Sequence, residues 1–95
     1  MQHIGVVHKE EDGETISEFP GGLPLEIFLA VPDSGTCLRF IDEYGDTVFN
    51  YLQLPVLIAE LEALNESKPE LRAGPLVEYL RSCQERHTYI HFIGD

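Results

Sequence analysis

Cys83, His87 and His91 recur at intervals of four residues, and a thiolate with two imidazoles is ligand chemistry for zinc. On a continuous helix the three would share one face, because residues four apart lie one above another. Cys83 and His87 alone would suffice for a thiolate–imidazole pair, the arrangement that activates a cysteine nucleophile. Two features of the same segment argue against both schemes. "TYIHFI" (88–93) is a run of β-formers that should end the helix before His91. Cys83 extends the apolar stripe of Leu76 and Leu80, where cysteine serves as a small buried hydrophobe. His3 and His8 flank the first β-rich run. Were that run to lie beside the last one, either could approach His91 and hold Zn²⁺ or Ni²⁺ loosely.

The second chemical grouping is Asp42, Glu43 and Asp46 around Gly45, in "RFIDEYGDTVFN" (39–50). A calcium loop of the EF-hand kind needs oxygen ligands at alternate positions, glycine at the sixth and glutamate at the twelfth, and this stretch has another spacing. Neighbouring carboxylates can divide acid and base roles, but only where desolvation separates their pKa values, and a loop tip is well hydrated. Aspartate and glycine are also the ordinary chemistry of turns, so these residues are expected to build a turn.

The chain contains no G-x-S-x-G, no G-x-x-x-x-G-K-[ST] and no G-x-G-x-x-G. "FPGGLP" (19–24) has no following lysine to hold a phosphate. No cofactor is expected.

Charge limits the partners. Seventeen acids against six bases give a net charge of −11, and residues 1–47 hold ten of the acids but two of the bases. Such a field repels nucleic acid and anionic lipid, and speeds encounter with a basic protein. No apolar run approaches the roughly 20 residues that span a bilayer. The N-terminal stretch has no signal-peptide pattern. Cys37 and Cys83 lie in apolar contexts with no C-x-x-C pairing. A cytoplasmic protein with buried thiols is the expectation.

These groups must be carried by elements that the apolar spacing outlines. "HIGVVH" (3–8) and "ETISEF" (14–19), joined at Asp12-Gly13, read as a hairpin. "LEIFLAV" (25–31) is apolar on both alternating faces and reads as a central strand. "PDSG" (32–35) is a turn. "CLRFI" (37–41) and "TVFNY" (47–51) read as a second hairpin, with Gly45 supplying a positive φ at its tip. The period then becomes helical. Leu54, Leu57, Ile58, Leu61 and Leu64 form one stripe behind Pro55, and Leu76, Val77, Leu80 and Cys83 form another behind Pro75. Arg81 has Glu78 and Glu85 at helical spacing. "TYIHFI" supplies the last strand.

The sum is one α+β domain over residues 1–95: an antiparallel or mixed sheet of about five to six short strands, with two helices mainly on one face. Its order is β-rich, helix, helix, strand. With no enzymatic motif, the expected function is non-enzymatic: an acidic interaction module, inhibitor- or immunity-like or an accessory subunit, that binds a more basic protein. The contact residues expected are Glu10, Glu11, Asp12 and Glu14 in the first turn, and Asp42, Glu43, Tyr44 and Asp46 in the second. A homodimer through an open sheet edge is a further possibility. The alternative is a small metal- or thiol-dependent enzyme centred on Cys83, His87 and His91.

Overall fold

In the computed structural model, residues 4–31, 35–42 and 44–94 are described. The first strand, β1 (Gly5–Glu10), turns through Asp12 and Gly13 into β2 (Thr15–Glu18), as the sequence predicts. Gly13 takes φ 92° there, a conformation that side-chain-bearing residues rarely adopt. A short helix α1 (Leu25–Ala30), a 3₁₀ turn (Leu38–Phe40) and β3 (Asp46–Asn50) follow. Next come α2 (Leu54–Ser67), a 3₁₀ turn (Pro69–Leu71), α3 (Gly74–Ser82) and β4 (Thr88–Ile93).

The four strands form one antiparallel sheet in the order β2-β1-β4-β3. The last strand therefore lies between the first and the third. The fold is α+β, but with four strands rather than five to six, because two predicted strands are helical turns. "LEIFLAV" is helix α1. An apolar run of this length has the same alternation whether it is a buried strand or a short helix. Ile27 is buried, while Leu29 is 72% exposed, which a central strand would not allow. β4 takes that central place instead, pairing with both neighbours.

"CLRFI" does not pair with β3. The backbone N–H groups of Thr36, Cys37 and Leu38 donate to the Glu60 carboxylate on α2, at 2.7, 3.2 and 2.9 Å. Donors committed to one carboxylate begin a helical turn rather than a ladder. The predicted hairpin between 37–41 and 47–51 therefore does not form, and β3 pairs with β4 instead. Gly45 does not take a positive φ; a Cβ there would meet only the movable end of the Asp42 side chain, Oδ2 at 2.9 Å. The proposed turn at 32–35 falls largely outside the described residues.

The helical stripes are where the sequence puts them. Leu54, Leu57, Ile58, Leu61 and Leu64 of α2 are buried, as are Leu76, Val77, Leu80 and Cys83 at α3. They join Val6, Phe49, Ile90 and Phe92 from one side of the sheet in a single core. Phe49 and Phe92 meet edge-on at 5.7 Å, a favoured aromatic geometry. Arg81 pairs with Glu78 at 3.5 Å and with Glu62 of α2, so it ties the two helices together instead of reaching Glu85. Among the described residues no helix is long and apolar enough to cross a membrane.

Candidate functional site

Alternation along each strand sends every second side chain away from the helices. The register aligns these outward residues in rows: Gly5, Ile93 and Asp46; Val7, His91 and Val48; Lys9, Tyr89 and Asn50. Glu18 of β2 stands beside Val7. Ile16, at the register irregularity of edge strand β2, is 43% exposed, and Val48 of the other edge strand is 46% exposed. Val7, although buried, is not part of the core. Val7 and His91 therefore form the middle of the face, its exposed apolar side chains lie on the edge strands, and the helical layer lies behind it. Burial holds His91 below the usual imidazole range, Lys9 acts the same way, and Asp46 opposes both.

Acids mark the two ends of this face. β3 runs parallel to β1, because both pair antiparallel with β4. Asp46 consequently lies level with Gly5, whereas the turn after Glu10 leaves from the other end. Five residue steps of strand separate the two acidic groups by about 17 Å. At the far end Glu10, Glu11, Asp12 and Glu14 are all exposed. Asp12 Oδ1 accepts the Glu14 N–H at 2.9 Å, which shapes the turn. At the near end Asp42 and Asp46 are exposed and Tyr44 is 66% exposed. Asp42 Oδ1 accepts the Tyr44 N–H at 2.9 Å. Glu43 lies outside the described residues. The expected contact residues thus form two groups rather than one patch.

Glu10, Asp12 and Glu14 each offer a carboxylate oxygen within 4.8 Å of the others, spacing that a hydrated divalent cation tolerates. All three face solvent, and clustered exposed acids need no ion to be stable.

The thiol–imidazole set is dispersed. Cys83 is buried at the end of α3, and burial raises its thiol above the ordinary range. His87 is exposed in the following turn at φ 62°, with Nδ1 3.5 Å from Glu11. His91 projects from the open face of the sheet. Helix α3 stops at Ser82, so the one-face arrangement of Cys83, His87 and His91 does not form. The first and last strands are neighbours, as the histidine scheme required. Yet His8 pairs with Ile90 and points inward, while His91 pairs with Val7 and points outward. His3 lies outside the described residues.

The inward side holds a polar cluster that the sequence did not signal, because its members come from four separate elements. The Thr88 hydroxyl donates to the Glu85 carbonyl at 2.7 Å, so its oxygen accepts the His8 Nε2–H at 2.9 Å. Beside it Ser17 Oγ and the Tyr79 hydroxyl share a 2.7 Å hydrogen bond. Burial lowers the His8 pKa, against an opposing effect of Glu85. Every polar group here has a partner, which describes a structural network.

A cleft of about 360 Å³ lies between the 3₁₀ turn and α2, lined by Val31, Leu38, Ala63 and Leu64 with Glu60 at its wall. Burial alone would raise the Glu60 pKa, but hydrogen bonds from Leu38, Thr36 and Cys37 outweigh it and hold the carboxyl low. That carboxylate is already committed to backbone. Comparison of the chain with protein-family models, with curated proteins and with solved structures finds no match.

Proposed function

We propose that this protein is a non-enzymatic, acidic interaction module that binds a more basic protein, as an inhibitor or immunity-type partner or as an accessory subunit. The observation that carries this reading is the placement of acids: all the nominated carboxylates among the described residues are exposed, on turns or at the strand ends beside them, in a chain of net charge −11. Such a surface draws a cationic protein into encounter, and nearby apolar groups hold it there. Two buried, unpaired thiols suit a reducing compartment such as the cytoplasm.

The test is affinity capture from lysate at low and at high salt, followed by binding measurements with the purified partner. A basic protein whose affinity falls as salt rises is the expected result. Capture of nothing, or of a partner indifferent to salt, overturns the proposal.

A further inference from the structure

An interaction module with acids at two opposite ends of a sheet poses a geometric problem. A partner that engages only one end leaves the other idle, and one that engages both must cross what lies between. What lies between is the outward face of the sheet, with Val7 and His91 in its middle and the exposed apolar side chains of Ile16 and Val48 on its two edge strands. We infer that this face is the docking surface, and that its occupant is a folded protein with apolar groups between two basic clusters about one strand length apart. This inference rests on the proposed reading as an acidic module and assigns its surface.

Size supports the need for both ends. Four strands at about 4.8 Å spacing, about 17 Å long, make a face of roughly 300 Å². A stable protein–protein contact covers about 800 Å² on each partner. The face alone falls short of that, so a stable contact has to extend beyond it onto the acidic groups at its ends.

Charge selects the occupant. A second copy would bring another −11 onto this surface. Because both ends of the face are acidic, either orientation of two copies sets carboxylates against carboxylates. Like charges placed opposite one another oppose association. A cationic partner meets favourable charge at both ends. Within the face Lys9 is the basic group with Glu18 at the neighbouring register position, so the surplus of acids lies at the two ends.

The experiment places a photo-crosslinking amino acid at Val48 or Ile16 on the face, and at Val56 on the helical layer as control, in the full chain in its host cells. Cross-linked species are then identified by mass spectrometry. One basic protein attached from Val48 and from Ile16, but not from Val56, is the expected result. Its yield should drop about three- to ten-fold in Asp12→Asn/Glu14→Gln, and by a similar factor in Asp42→Asn/Asp46→Asn. Circular dichroism of each variant establishes that it is folded. A basic protein attached only from Val56 overturns the assignment of this face and leaves the acidic-module reading standing. Self-cross-links from the face overturn the choice of occupant. Neutralisation of one end without effect overturns the two-ended geometry. A neutral or acidic partner, or no cross-link from any position, overturns the module reading together with the face.

Discussion

Glu60 determines the course of a whole segment through one carboxylate. It accepts three backbone N–H groups and the Thr36 hydroxyl, the last at 2.9 Å. Glu60→Gln keeps the size but replaces one acceptor oxygen with a donor that faces the N–H groups. It should cost about 1–3 kcal/mol, read as a lower urea midpoint. The residue also sets an acid limit. Its folded pKa lies below 4.5, so its contribution is complete above 4.5 and is lost as pH falls through the folded value. His8 and His91 act earlier. Their folded pKa values lie below 6.5, so the unfolded chain binds protons first and stability declines as pH drops below 6.5. Urea midpoints measured across pH should show these two stages in that order. Burial raises both thiols, Cys37 and Cys83, which leaves little thiolate in the native state. Alkylation of either should therefore be no faster than unfolding, and rapid labelling of the native protein would restore the thiol-enzyme reading.

At the scale of elements, the packing centre is the meeting of β4 with the helical stripes. Phe92 is fully buried in contact with Phe49. Phe92→Ala should cost about 3–5 kcal/mol, a large part of the stability of a small domain, and calorimetry would register it. Helices α2 and α3 were legible in the sequence because a long amphipathic stripe satisfies only one period. The first hairpin was legible because Asp12-Gly13 has one favoured backbone geometry. α1 and the 3₁₀ turn at Leu38 were not. Six or fewer apolar residues fit either period, and the decisive partner of the second segment, Glu60, is 22 positions from Leu38. The acidic contact residues were visible as residue types. Their division between opposite ends depends on strand order, which local pattern does not encode.

For the molecule as a whole, charge is a destabilising property that function would have to justify. Seventeen acids on a chain of 95 residues repel one another in the compact state, most strongly at low ionic strength. The melting temperature should therefore rise as sodium chloride is added, while affinity for a basic partner falls. Opposite responses of stability and binding to the same salt would separate self-repulsion from recognition.

The place of β4 has a consequence for synthesis. The ribosome delivers residues in order, and β1 and β3 have to wait for the strand that joins them. Until Thr88–Ile93 emerges, the earlier segments can form a hairpin and helices but no continuous sheet. The edges of β1 and β3 that face β4 thus stay unpaired until that strand is inserted, and the sheet closes from its middle.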